Sequence, residues 1–156
     1  SRVLEYNPPF SNGVAASIVI GQKNFSTNVR GLGPDILTLP TSISFDNQGN
    51  LWIFDENSRV LEFKPPFHTD MNATLVIGQK DFTSKDFSLS QNGLDRGPDF
   101  ITFDKNGNLW VSEYDNNRIL EFSSQVSSVP EFSLVIPILL VGMTPLIIFY
   151  RIKNVK

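Results

Sequence analysis

Cysteine is absent from the 156 residues, and histidine occurs once. The first absence excludes disulfides, thiolate metal centres and a cysteine nucleophile. It leaves the compartment open, because an exported protein can do without disulfides if its sheets bury enough surface. The single histidine, His68, stands beside Pro65, Pro66 and Phe67 and reads as a solvated turn residue. These residues alone cannot build a histidine-ligated catalytic metal site or a Ser-His-Asp set. A basic excess is also lacking. Residues 1–130 hold ten Lys and Arg against fifteen Asp and Glu, a net of −5 within a chain total of −3. Nucleic-acid phosphates call for a basic surface, so no nucleic acid is expected as a partner. Gly31, Leu32 and Gly33 lack the Lys and Ser/Thr that complete a phosphate loop, and no cofactor is expected.

What the chain does have is repetition. FDNQGNLWIFDENSRVLEF at residues 45–63 returns as FDKNGNLWVSEYDNNRILEF at 103–122, and SRVLEYNPPF at 1–10 returns as SRVLEFKPPF at 58–67. IVIGQKNF at 18–25 is echoed by LVIGQKDF at 75–82, placing Gly21 and Gly78 57 residues apart, while Trp52 and Trp110 are 58 apart. Several independent anchors sharing one period point to a propeller, a solenoid or an array.

Within a unit the apolar residues form short runs rich in Val, Ile, Leu, Phe and Trp, bounded by Gly, Asn, Asp and Pro, which is the pattern of strands. The unit predicts four of them, at residues 42–45, 51–54, 59–63 and 74–77, as antiparallel hairpins in series. The first hairpin turns through residues 46–50 and again 104–108, where Gly and Asn tolerate positive φ. Runs such as LWIF and LWVS carry apolar groups at successive positions, so both sheet faces expect cover, as in a stacked blade. The expected fold class is all-β, four-stranded antiparallel propeller blades forming a partial arc, plus one C-terminal transmembrane helix. The boundaries are a partial blade at 1–20, a blade at 41–78 and an incomplete blade at 99–122. The long polar connections at 22–39 and 79–97 are expected as surface loops, a usual place for recognition.

The run P-x-x-I-x-F-D-x-x-G-N-L-W followed by N-x-R-V/I-L-E-F resembles the NHL repeat, a four-stranded propeller blade. Pro40, Ile43, Phe45, Asp46, Gly49, Asn50, Leu51, Trp52, Asn57 and residues 59–63 carry the resemblance. Pro98, Ile101, Phe103, Asp104 and residues 107–110 and 117–122 carry it again. The unit is longer than is typical of that family, the excess lying in the loop before each first strand. The resemblance implies a ring of about six blades. The chain is therefore expected to be the C-terminal portion of a longer protein, whose N-terminus supplies the last strand beside residues 119–122.

Residues 123–131 form a Ser-rich linker. Residues 132–150 follow, nineteen without a charge, of which twelve are Leu, Ile, Val or Phe. A helix of that length spans about 28 Å, close to a hydrocarbon core of about 30 Å. Arg151, Lys153 and Lys156 come immediately after, so residues 151–156 read as a basic cytoplasmic tail, with the blades extracellular at the cell membrane. Pro130, Glu131 and Phe132 before an apolar span and a basic end resemble the PEF-type C-terminal sorting signals of archaeal surface proteins. That resemblance implies processing by an archaeosortase-like enzyme, although Ser133 stands where one common version has Gly.

Asp55 with Glu56, and Glu113 with Asp115, place carboxylates at equivalent blade ends, where a ligand face is expected. Loop solvation and hairpin support are the plainer role. Asp46 and Asp104 lack the alternating oxygens of a calcium loop and read as turn caps, so no metal site is assigned. Asn24 and Asn72 match the glycosylation acceptor pattern. The expectation is a non-enzymatic, membrane-anchored binding or structural module for a protein or glycan. The alternative is part of a propeller hydrolase or lyase whose metal ligands lie in further blades.

Overall fold

The computed structural model describes residues 1–97 and 99–124; Pro98 and residues 125–156, with the expected linker, membrane span, basic tail and sorting motif, lie outside the described residues. Among the described residues every regular element is a β-strand, and no helix is long and apolar enough to cross a membrane. The protein is all-β, with antiparallel sheets throughout.

β1 (Val3–Glu5) and β2 (Ile18–Ile20) form a two-stranded sheet. β3 (Pro40–Phe45), β4 (Leu51–Asp55), β5 (Arg59–Phe63) and β6 (Leu75–Ile77) form a four-stranded meander. β7 (Phe100–Phe103), β8 (Leu109–Glu113) and β9 (Arg118–Phe122) repeat its first three strands. Relative to the sequence reading, β3 begins two residues earlier, at Pro40, with a register shift between Pro40 and Ser42, and β4 runs on to Asp55. The cause is Asp55 itself, whose carboxylate takes the Thr38 and Leu39 amides and holds the chain entering β3 against the end of β4.

The alternation of side chains along a strand sets the layering. Leu51, Ile53, Leu61 and Phe63 point one way and join Ile20, Leu37, Met71 and Ala73 in a core against the first sheet. Trp52, Phe54 and Val60 point the other way and join Leu94, Ile101, Leu109 and Val111 in a core against the third sheet. Every residue of β4 and β5 is buried in consequence, which is why those strands are apolar at successive positions. β3 and β7 lie side by side. They are joined by Thr41 Oγ1 donating to the Asp99 carbonyl at 3.1 Å and the Ile101 amide donating to Ser42 Oγ at 3.1 Å. β8, packed on one side, alternates instead, so Trp110 is 37% exposed where its counterpart Trp52 is 8% exposed. Both indoles do the same local work: Trp52 Nε1 donates to Asp46 Oδ2 at 2.9 Å and Trp110 Nε1 to Asp104 Oδ2 at 3.2 Å.

Candidate functional site

The repeat-specific polar chemistry gathers at the end of the sheets where β4 turns into β5 and β8 into β9. It begins with a glycine. Gly21 and Gly78 have φ of +82° and +88°, and the space a Cβ would need is filled by Leu37 and Leu94 respectively. The sharp exit places the next residue, Gln22 or Gln79, to pinch off a short loop. Gln22 accepts from the Val29 amide at 2.9 Å and donates to the Val29 carbonyl at 2.7 Å. Gln79 accepts from the Asp86 amide at 2.8 Å and donates to the Asp86 carbonyl at 2.8 Å. A side-chain amide suits both bonds at once, its N–H donating and its carbonyl oxygen accepting.

Arginines fasten the rest. The Arg59 and Asp55 side chains are fully buried and paired at 2.8 Å. Arg59 also donates to the carbonyls of Gly33 at 3.1 Å, Ile36 at 2.9 Å and Phe82 at 2.8 Å, so one guanidinium ties both long connections to the sheet. Its five-donor fork permits this; an ammonium could not match it. Asn57 adds a bond to the Gly31 carbonyl at 3.0 Å. In the third sheet Arg118 pairs with Glu113 and donates to the carbonyls of Leu89 at 2.7 Å and Gly93 at 3.4 Å, while Glu113 Oε1 takes the Asp95 amide at 2.8 Å. Arg2 reaches the Phe25 carbonyl at 2.6 Å, the counterpart of the Arg59 bond to Phe82.

The four carboxylates expected on a ligand face thus divide. Asp55 and Glu113 are buried and engaged by arginine and backbone amides. Glu56 is half-buried on the same turn as Asp55, and Asp115 is exposed beside Glu113. Among the polar residues that the clamped loops and the β8–β9 turn offer to solvent stand three large apolar or aromatic ones. Phe87, Leu89 and Tyr114 are 50%, 70% and 74% exposed, and the Arg96 guanidinium lies 4.6 Å from the centre of the Phe87 ring. Asn24 and Asn72 are exposed. Asp46 and Asp104 cap their hairpins: Asp46 Oδ1 accepts from the amides of Gln48 and Asn50, both at 2.9 Å, and Asp104 Oδ1 from those of Asn106 at 2.8 Å and Asn108 at 2.9 Å. Desolvation pushes the Asp46 carboxyl up, but bonds from Trp52, Asn50 and Gln48 outweigh it and hold the pKa below its ordinary value. Beside these hairpins, at the other end of the sheets, a cavity of about 490 Å³ is lined by Asp46, Asn50, Trp52, Glu62, Lys64 and Phe103 among others.

Sequence reasoning missed Asp99. It occupies the position of Thr41 in the preceding unit and is 1% exposed. Oδ1 accepts from the Tyr114 amide at 2.9 Å, while Oδ2 is buried with no partner. Burial pushes its carboxyl up, the Tyr114 bond works against this, and the like charges of Glu113, Asp115 and Asp95 push it further up. Because its folded pKa is raised, its stabilising contribution is full below the ordinary value of 3.8 and is lost as pH rises through that value to the folded one. Asp99→Asn is therefore expected to raise the melting temperature at about pH 7 and to match the parent at about pH 3, as followed by circular dichroism. Equal melting temperatures at both pH values would contradict this.

No family model matches the chain, and no curated protein matches it.

Proposed function

We propose that residues 1–124 are an arc of an NHL-type β-propeller acting as a surface-displayed binding module, with a protein or glycan as its ligand. The observation that carries the reading is the pairing of a stiff frame with exposed apolar groups. Sheets stacked face to face hold long connections by the buried Arg59 and the partly exposed Arg118, and those connections with their neighbouring turn present Phe87, Leu89 and Tyr114 to solvent. Aromatic side chains on loops that are already ordered bind at low entropic cost. Four-stranded meanders with adjacent first strands are what stacked blades require. In the same reading residues 132–150 cross the membrane with Arg151, Lys153 and Lys156 on the cytoplasmic side. Pro130, Glu131 and Phe132 are then the signal for an archaeosortase-like enzyme.

The test is binding of the purified chain to an array of immobilised glycans and to a displayed peptide library. Phe87→Ala with Tyr114→Ala is expected to weaken any captured probe about tenfold or more. Gln48→Ala with Asn106→Ala, at the opposite end, is expected to leave binding unchanged. Equal effects from both pairs, or no capture, would refute the reading. One observation favours the alternative of a propeller hydrolase or lyase, namely the buried Asp99 Oδ2, without a partner, just before a first strand. Among the described residues, however, no three His, Asp or Glu side chains are placed to share a metal ion.

A further inference from the structure

Ile43 and Phe45 of β3 hold the positions that Ile101 and Phe103 hold in β7, 58 residues on, yet the two pairs are covered differently. Ile101 is 6% exposed and lies in one core with Trp52 and Phe54 of β4, and the Phe103 and Trp52 rings meet with centroids 5.4 Å apart. Ile43 and Phe45 are 51% and 55% exposed. What stands opposite makes the difference. β7 meets a sheet in which β4 lies beside β5, whereas β3 meets the sheet of β1 and β2, and β1 has no strand on its other edge among the described residues. A cavity of about 380 Å³ separates them, lined on one side by Val3, Leu4 and Glu5 and on the other by Ile43, Phe45 and Phe67. Glu5 apart, those side chains are apolar. An open strand edge beside an exposed apolar face is a template for one more strand.

Arginine gives an independent mark of what that strand carries. Arg59 opens β5 and pairs with Asp55 at 2.8 Å, while Arg118 opens β9 and pairs with Glu113. In both sheets the acid is the last residue of the strand alongside, directly opposite the arginine. Arg2 holds the same place ahead of β1. It is exposed and donates to the Phe25 carbonyl, and it has no carboxylate partner among the described residues.

We propose that this groove takes an extended peptide of the kind Leu-Trp-apolar-Phe-Asp/Glu, added antiparallel to β1. The register follows from β4 on β5, where Trp52 stands opposite Glu62, Phe54 opposite Val60 and Asp55 opposite Arg59. β8 on β9 agrees, with Trp110 opposite Glu121 and Glu113 opposite Arg118. On β1 the same offsets set the tryptophan opposite Glu5, the phenylalanine opposite Val3 and the acid opposite Arg2. Because side chains alternate across a strand, the tryptophan and phenylalanine turn together to the face where Phe45 and Ile43 lie. Backbone bonds along β1 hold any extended chain; the apolar wall selects the aromatic pair, and Arg2 selects the sign of the end. A second copy of this chain does not fit the description, since its own Leu-Trp strands, β4 and β8, are each bonded on both edges. The groove belongs to the first two sheets and shares no residue with Phe87, Leu89 and Tyr114, so it does not depend on the binding reading.

The test is a fluorescein-labelled peptide, Asn-Gln-Gly-Asn-Leu-Trp-Ile-Phe-Asp-Glu-Asn, which copies residues 47–57, titrated with the full chain and followed by anisotropy. Saturable one-to-one binding is expected. The peptide with lysine in place of its aspartate should bind about tenfold more weakly, since like charges then meet at Arg2. Arg2→Glu should reverse that order, the lysine peptide binding more tightly than the aspartate one; the side chain is exposed, so the exchange leaves the sheets intact. Ile43→Ser with Phe45→Ser should weaken both peptides about tenfold or more. No saturable binding, or equal affinity for the two peptides, would overturn the proposal. So would an order that Arg2→Glu fails to reverse, which would place the peptide on another edge. Light scattering of the chain alone supplies the remaining outcome: dimers that Ile43→Ser with Phe45→Ser disperses would overturn it by assigning the groove to a second copy.

Discussion

Arg59→Met is expected to destabilise the protein by about 3–5 kcal/mol, the usual effect of removing one partner of a buried ion pair. The side chain is fully buried against an equally buried Asp55, and the change leaves that carboxylate with the Thr38 and Leu39 amides and Asn57 as its remaining donors. The carbonyls of Ile36 and Phe82 lose donors in the same step. Domains of this kind are stable by only about 5–15 kcal/mol, so the variant should fall well down the urea axis, its midpoint shifted. Arg118→Met is the control. Its side chain is 25% exposed, so water can replace part of what is lost, and a cost of about 1–2 kcal/mol is expected. Asp55→Leu combined with Arg59→Met should recover part of the loss, since an apolar pair leaves no charge buried alone. Equal midpoints for the two arginine variants would show that the Arg59 network does not fasten the loops.

That network marks the limit of what the sequence disclosed. The strands were legible because side-chain alternation and burial are local. LWIF announced that both its faces are covered, while LWVS, which reads the same way, is covered on one; the repeat showed that the unit is a four-stranded meander. The turns were legible for the same reason, since Asp46 and Asp104 bond residues two to six positions ahead. The clamp was not. Arg59 meets Phe82 and Gly33 across 23 and 26 residues, and nothing in the spacing of a polar loop says which carbonyl will face a guanidinium. Asp55 and Glu113 read equally well as ligand-face acids until their partners were seen. The contrast between Trp52 and Trp110 lies further out of reach, because identical local sequence is buried or exposed according to what is stacked on it. Asp99 was hidden by its departure from the repeat, and that departure from Thr41 was the signal available.

Gly78→Ala is expected to cost about 2–5 kcal/mol, while Gly49→Ala, at a similar backbone angle, costs about 1–2 kcal/mol. Both glycines occupy the left-handed region, at φ +88° and +80°, so both variants carry the same strain. They differ in what a new methyl group meets. Around Gly49 there is nothing within 4 Å, whereas at Gly78 the added Cβ falls 2.6 Å from Leu94 Cδ1 and 2.7 Å from the Ser58 carbonyl oxygen. Leu94 can shift; the Ser58 oxygen is backbone and also accepts from Gln79 Nε2 at 2.9 Å. Relief therefore displaces Gln79 and with it the loop that Gln79 pinches at Asp86. Leu94→Ala in the Gly78→Ala background should not restore stability, because it removes only the yielding contact and itself costs about 2–5 kcal/mol. Hydrogen exchange would locate the damage: amides of residues 79–97 should lose protection in Gly78→Ala and keep it in Gly49→Ala. Uniform loss across all three sheets in Gly78→Ala would mean that the glycine guards the whole stack, not the loop that carries Phe87 and Leu89.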